Sequence, residues 1–210
     1  RWPRGKCWPV ALTAGPPLPD WQTLAWSSTF SRSRVWVKQR RSVSASCLTH
    51  TASVALGGRD RLSMVYLDVS RGLQTASFSL DAGARIPMYR SAMGFAYLWA
   101  IPDKARNFLF EAMRKRLGEE WPTVKKQIAA AFKSLDRDGF CVAEGTYERA
   151  ISGAGVALSL QDGAEVYAIS CSAPAFQLSA QRLRDEIGPR LVALVTSVKN
   201  ELEGHARHAY

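Results

Sequence analysis

The order of strand and helix patterns along this chain limits it to one fold class. Apolar runs at residues 53–56 and 62–69 flank a Gly-rich polar stretch at 57–60 and predict a β-hairpin, and residues 73–80 alternate as a third strand. Helix patterns follow, and strand patterns then return before a last helix. Strands grouped in sequence with helices between them predict an α+β domain, in which helices pack on one antiparallel sheet.

The elements after residue 90 have clear sequence limits. Ser91 and Ser179 are suited to cap the first and last helices, because a serine hydroxyl accepts a hydrogen bond from an unpaired amide of the first turn. Between these two, helical spacing of apolar residues predicts helices near residues 103–117 and 121–138. Later strands are predicted at residues 139–143, 155–160 and 166–172, with a polar turn at 144–150 and a tight turn at 161–163.

A serine pair ends the last predicted strand. Ser170 and Ser172 are separated by one residue and therefore project from the same side of the strand, just before Pro174. Two hydroxyls beside the amides of the following turn suit a small ligand that carries a carboxylate or other acceptor oxygens. The alternative is a serine pair that only ends a strand and begins a turn.

The net charge of +10 is unevenly distributed. Residues 1–58 contain eight Lys and Arg against one acid, Asp20, whereas the rest of the chain is nearly balanced. Residues 1–50 show no sustained helical or alternating pattern. Three origins of this segment stay open: a basic arm that binds phosphates and stacks on bases, a disordered tail, or the out-of-frame translation of a GC-rich gene.

Several classes of site are excluded by the residues present. The four cysteines form no CxxC pair, and residues 136–139 lack the essential ligands of a calcium loop, so we expect no metal. His205 and His208 lie in a short C-terminal tail, and His50 is the only other histidine. Without a usable histidine base or a nucleophile motif, we expect neither catalysis nor a cofactor. No apolar run could cross a bilayer, and unpaired cysteines suit the cytoplasm.

Three motifs in order are similar to one family. They are residues 83–94 (GARIPMYRSAMG), 138–140 (DGF) and 168–174 (AISCSAP), the last followed by Leu178 and Ser179. Residues 53–204 thus resemble the effector-binding domain of IclR-type bacterial transcriptional regulators. The resemblance implies a GAF-like antiparallel sheet with helices packed on it, a dimer or tetramer, and a pocket for a small metabolite whose occupancy changes DNA binding.

The resemblance also implies which residues contact the effector. Carried over by position, they lie at the helix start, on the strand after the long helix and on the serine-bearing strand: Ser91, Ala92, Met93, Ala143, Gly153, Ser170 and Ser172, with Glu144 beside Ala143. The chain departs from the family pattern at Tyr89, Ala143 and Gly153, where histidine, an acid or cysteine can occur. These departures imply a larger and less polar pocket, and hence an aromatic or otherwise bulky carboxylate.

The resemblance implies the domain organisation. We expect an irregular basic segment at residues 1–50, the effector-binding domain at 51–204 and a tail at 205–210. The winged helix-turn-helix of the family is not recognisable in residues 1–50, so we expect a fragment of a longer protein that reaches DNA through a domain missing from this chain. The alternatives are a small enzyme with Glu144 as base and a non-specific nucleic-acid binder acting through residues 1–50.

Overall fold

The computed structural model describes residues 52–71, 80–160 and 163–207. One six-stranded antiparallel sheet, in the order β3-β2-β1-β6-β5-β4, organises this part of the chain. Its elements are β1 (Ser53–Asp60), β2 (Ser63–Ser70), β3 (Arg85–Pro87), α1 (Ala92–Ala100), α2 (Asp103–Leu117), α3 (Trp121–Asp138), β4 (Cys141–Glu144), β5 (Ile151–Leu160), β6 (Glu165–Pro174) and α4 (Gly188–Arg207). The predicted α+β class and GAF-like fold are confirmed.

Both faces of the sheet are covered by helices. Side chains alternate along β6, so Ile169 and Cys171 enter one core with the C-terminal helix, whereas Ala168 enters a second core with α1 and α3. Helix α1 lies directly on β5 and β6, and α4 contacts β5 from the opposite face. The face that carries α1 also carries the side chains of Ser170 and Ser172, and it holds the candidate site.

Local signals set the ends of the helices as predicted. The Ser91 hydroxyl accepts a hydrogen bond from the Gly94 amide at 3.1 Å, and the Ser179 hydroxyl accepts one from the Arg182 amide at 3.3 Å. After α3, Gly139 adopts the left-handed conformation (φ 77°) that commonly ends a helix, and β4 follows. The last helix starts with the turn Ala180–Arg182 and passes through a π-helical segment, Leu183–Ile187, before α4.

The predicted turn at residues 57–60 is wrong. These residues belong to β1, and the hairpin turns at Arg61 and Leu62, where Arg61 has a φ of 56°. Gly57 lies under α1, where an added Cβ would be only 3.0 Å from the Met93 Cε atom. Gly57 therefore gives room to the end of the Met93 side chain, a packing contact that local sequence does not reveal.

Other predicted limits shift or lie outside the described residues. β5 begins at Ile151, four residues before the predicted start, so it follows the polar turn at 144–150 directly. Of the predicted strand at residues 73–80 only Leu80 is described, and of the turn at 161–163 only Gly163. Residues 1–50, His208 and the side chain of His205 are outside the description as well. Within the described chain, no helix combines the length and apolar character needed to cross a membrane.

Candidate ligand-binding site

A pocket opens between the N-terminal end of α1 and the sheet face beneath it. Its cavity volume is about 70 Å³. All six strands, the turn Met88–Arg90, the start of α1 and the loop between β4 and β5 contribute to its wall. The lining residues are Ser53, Tyr66, Leu80, Ile86, Arg90, Ser91, Ala92, Met93, Ala143, Thr146, Tyr147, Ile151, Gly153, Ser170, Ser172, Ala173 and Pro174.

Seven of the eight predicted site residues line this pocket, one of them Ala143 on β4. Ser170 and Ser172 project from the same side of β6, and Gly155 and Gly153 lie opposite them on the neighbouring strand. Gly153, which has no side chain, lines the pocket beside Ser172, whereas the start of α1 lies directly over Gly155. The others at the pocket are Ser91, Ala92 and Met93 at the start of α1.

Glu144 is the predicted site residue that the structure does not bring to the pocket. Side chains alternate along β4, so Ala143 faces the pocket and Glu144 is directed to the other side of the sheet. There the Arg184 guanidinium donates a hydrogen bond of 2.7 Å to the Glu144 carboxylate. The assignment of Glu144 to effector binding is therefore withdrawn. Tyr89, at the position where the family can have histidine, is buried in the core and is not a lining residue.

The phenol of Tyr66 shares the pocket with the serine pair. Burial, with a smaller contribution from the nearby Tyr147 phenol, raises the pKa of Tyr66 to about 12. Interactions with the side chains of Ser172 and Ser170 lower the same pKa, which places their hydroxyls beside the Tyr66 oxygen. The phenol therefore stays neutral at physiological pH and, like the two serines, can donate as well as accept a hydrogen bond.

The start of α1 forms the opposite wall. The first amides of a helix lack acceptors within the helix and carry the positive end of its dipole, which favours an anionic group nearby. Gly155 allows this close approach, because an added Cβ would lie 2.5 Å from the Ala92 carbonyl carbon and 2.9 Å from the Met93 nitrogen. The Cys141 thiol donates a weak hydrogen bond of 3.4 Å to the Ala92 oxygen, and burial raises its pKa to about 12.

Sequence reasoning missed five polar lining residues: Ser53, Tyr66, Arg90, Thr146 and Tyr147. Alternation along β2 could have indicated Tyr66, which shares a sheet face with Met64. Thr146 and Tyr147 lie in a loop without periodicity and carried no signal. The Thr146 hydroxyl donates a 2.6 Å hydrogen bond to the Arg90 carbonyl oxygen, which joins this loop to the residue before the Ser91 cap.

The described residues contain no cluster of three His, Cys, Asp or Glu side chains that could hold a metal ion. The acids near the rejected calcium motif have other partners. Asp136 accepts a hydrogen bond from the Trp99 indole, and Asp138 pairs with Arg137. Cys141 and Cys171 are both buried, on opposite faces of the sheet, and neither forms a disulfide. What the pocket offers is recognition by hydroxyls, amides and apolar contacts.

Sequence comparison finds one family over most of the chain. The family model described as "Bacterial transcriptional regulator IclR C-terminal" matches residues 29–200. The chain is also similar to the HTH-type transcriptional regulator TsaQ1/TsaQ2 of Comamonas testosteroni, with 31% identity over 152 residues. The match covers 71% of this chain and 55% of that protein, so the chain spans about half the length of this curated relative.

Solved structures share the same fold. The crystal structure of an IclR family transcriptional regulator from Brucella abortus superposes with a TM-score of 0.73 at 31% identity, covering 81% of this chain and 64% of that one. An IclR homologue from Microbacterium hydrocarbonoxydans, complexed with 4-hydroxybenzoate, gives a TM-score of 0.67 at 17% identity and covers 88% and 73% of the two chains.

Proposed function

The chain belongs to the IclR family of bacterial transcriptional regulators, as an effector-binding domain, and on this premise we propose that its pocket binds a small aromatic carboxylate. One observation carries the proposal: the hydroxyls of Tyr66, Ser170 and Ser172 converge in a buried pocket beside the start of α1. Neutral donors and a helix N-terminus are the groups that stabilise a carboxylate removed from water.

The rest of the wall supports the aromatic part of the proposal. Ile86, Met93 and Ile151 supply apolar surface, and the Tyr147 ring supplies an aromatic face. A cavity of about 70 Å³ holds only a few heavy atoms, so the carboxylate and part of a ring would be enclosed while the remainder extends towards the more exposed residues. The IclR homologue from Microbacterium hydrocarbonoxydans is complexed with a ligand of this class.

The proposed consequence of binding belongs to the longer protein. We propose that effector occupancy modulates DNA binding by a winged helix-turn-helix in that protein, that the domain assembles as a dimer or tetramer, and that the protein acts in the cytoplasm. Family membership excludes the alternative of a small enzyme, because the family consists of non-enzymatic regulators. Nucleic-acid binding through residues 1–50 stays a prediction, because that segment lies outside the described residues.

Thermal shift and calorimetry on the full chain test the effector. We expect benzoate and 4-hydroxybenzoate to raise the unfolding temperature, because a ligand that binds only the native state stabilises it by mass action. Replacing both Ser170 and Ser172 by Ala should lower affinity at least about tenfold, since each hydrogen bond to a charged group contributes roughly 1.5–3 kcal/mol.

Two control variants make the result specific. Ser159→Ala removes a half-buried hydroxyl from β5, roughly 20 Å along the strand from Gly153, and should leave affinity unchanged. Glu144→Gln should also leave it unchanged, because that side chain pairs with Arg184 outside the pocket. If aromatic acids produce no stabilisation of the wild-type chain, the proposed effector class is wrong.

A further inference from the structure

Arg90 is the only charged residue among those that line the pocket in the described chain. It closes the short 3-10 turn Met88–Arg90, directly before the Ser91 cap of α1. Its side chain is 38% exposed, whereas Tyr66 and Ser170 are buried. Arg90 therefore adds a positive charge on the solvent side of a pocket whose buried part consists of neutral groups.

The backbone of Arg90 is held in place from two sides. The Thr146 hydroxyl donates to its carbonyl oxygen at 2.6 Å, and the following residue caps α1 through the Gly94 amide. With the backbone fixed, only the side-chain torsions of Arg90 determine where its guanidinium lies. The guanidinium can therefore exchange one partner for another without a change in the fold.

Glu120 is the partner that holds the guanidinium. The Arg90 Nη2 atom donates to the Glu120 Oε2 atom, and Glu120, which is 62% exposed, leaves this pair open to solvent. Glu120 ends the short turn Gly118–Glu120 that joins α2 to α3. An exposed ion pair of this kind is weak, because water screens the attraction and two long side chains must be ordered.

A carboxylate in the pocket would compete well for the same guanidinium. Arginine presents parallel N–H donors that match the two oxygens of a carboxylate, and such a pair becomes stronger where less water surrounds it. The Ser170, Ser172 and Tyr66 hydroxyls and the α1 amides would hold the ligand already, whereas Glu120 has only its flexible side chain to position it.

From these contacts we propose that Arg90 is the residue that selects anionic effectors, and that Glu120 competes with the effector for its guanidinium. The proposal rests on the proposed function and names the residue that distinguishes a charged from an uncharged ligand. It predicts opposite effects for the two members of the ion pair. Loss of Arg90 weakens binding of an anion, and neutralisation of Glu120 strengthens it.

The experiment measures dissociation constants of the full chain for benzoate and for its neutral analogue benzamide. Arg90→Gln should weaken benzoate binding about tenfold or more and change benzamide binding little, because only the anion loses a charged partner. Arg90→Lys should restore part of the benzoate affinity. Glu120→Gln should strengthen benzoate binding about two- to fivefold, the range that corresponds to loss of an exposed competing ion pair.

Arg85→Gln is the matched control. Arg85 belongs to the neighbouring β3, pairs with Asp60 at 2.7 Å, is similarly exposed and does not line the pocket. Its replacement should leave both dissociation constants unchanged. A purely structural role of the Arg90–Glu120 pair would instead make both variants lose affinity for benzoate and benzamide alike, and that result overturns the proposal.

The remaining outcomes separate the two proposals. If benzoate binds and depends on Ser170 and Ser172 but not on Arg90, the assignment of Arg90 is wrong and the proposed function stands. If the wild-type chain binds neither benzoate nor benzamide, the proposed function fails, and the selectivity of Arg90 fails with it. If Arg90→Gln does not fold, the sign of the Glu120→Gln effect and the intermediate affinity of Arg90→Lys decide the question.

Discussion

Single residues on the sheet face under α1 determine whether the pocket exists. Gly155 lies directly under the backbone of Ala92 and Met93, and Gly153 lines the pocket beside Ser172. Larger side chains at either position would push the helix away or fill the cavity. The chemistry of the site thus depends on residues that have no functional group of their own.

The Gly155→Ala substitution tests this dependence. Its Cβ would meet the backbone of Ala92 and Met93, which cannot rotate away, so we expect a loss of about 1–3 kcal/mol of unfolding free energy. Gly58→Ala in β1 is the control, because its Cβ would meet only the Leu67 side chain at 3.2 Å. Urea unfolding compares the two variants. Equal stability of both would show that α1 does not require the glycine.

Burial of the Tyr66 phenol predicts a specific dependence of stability on pH. Its pKa is about 12 in the folded chain, against 10.0 for a tyrosine in water, so the folded state holds the proton more tightly. The resulting stabilisation is complete below pH 10 and is lost as pH rises towards about 12. Tyr66→Phe removes this titration.

We therefore expect wild type to lose roughly 1 kcal/mol more unfolding free energy than Tyr66→Phe between about pH 8 and about pH 11. Urea unfolding at the two pH values measures the difference. Tyr167 and Cys141, whose pKa values are also raised to about 12, contribute equally to both proteins and cancel in the comparison. Identical losses would mean that the phenol is not desolvated.

The sequence could identify some residues of the pocket but not others. Ser170 and Ser172 were accessible to prediction because strand alternation fixes their common direction. The same rule, applied to β4, would have separated Glu144 from Ala143. Arg90 carried no comparable signal, because its importance depends on an ion pair with Glu120, thirty residues away in sequence. Contacts between distant segments are set by the fold and not by local patterns.

Among the secondary-structure elements, the helices were predicted best and the first hairpin worst. α2 and α3 match their predicted limits because apolar periodicity and a terminal glycine act within a few residues. In the hairpin, Gly57 and Gly58 resemble a turn sequence, but both lie within β1, beside the side chains of Met93 and Leu67. The actual turn contains Arg61, whose left-handed backbone is unusual for a residue with a side chain.

The position of this turn predicts opposite changes in the unfolding free energy for two substitutions of Arg61. Arg61→Gly should keep or raise the unfolding free energy by up to about 1 kcal/mol, because glycine adopts a φ of 56° without steric cost. Arg61→Val should lower it by about 1–2 kcal/mol, because a β-branched residue is strongly disfavoured there. Thermal unfolding of both variants provides the measurement. A hairpin that turned at residues 57–60 instead would make Arg61→Gly the more harmful change.

At the scale of the whole molecule, one sheet separates two apolar cores, and only one of them contributes most of the pocket wall. The core on the α4 side contains no pocket-lining residue except Ala173, whereas the core on the α1 side includes Tyr66, Ala92, Met93 and Ala143. Ligand contacts and general stability therefore depend largely on different sets of side chains. The order and the type of the secondary-structure elements were sufficient to predict this architecture, because antiparallel strands grouped around helices are compatible with few folds.

Within the part of the chain that the structure describes, which starts at Ala52, both cores are complete enough to enclose the sheet on its two faces. We therefore predict that a chain truncated to residues 51–210 unfolds cooperatively, with a midpoint in urea close to that of the full chain. Its stabilisation by benzoate should also be unchanged, since every described pocket residue is retained.

Truncation to residues 58–210 is the matched control. It removes Val54 and Leu56 from the α4-side core and cuts β1 away from its pairing with β6, so it should abolish cooperative unfolding. If the 51–210 chain behaves like the control, residues before 51 contribute to the folded domain, and the predicted boundary must move towards residue 29, where the family match begins.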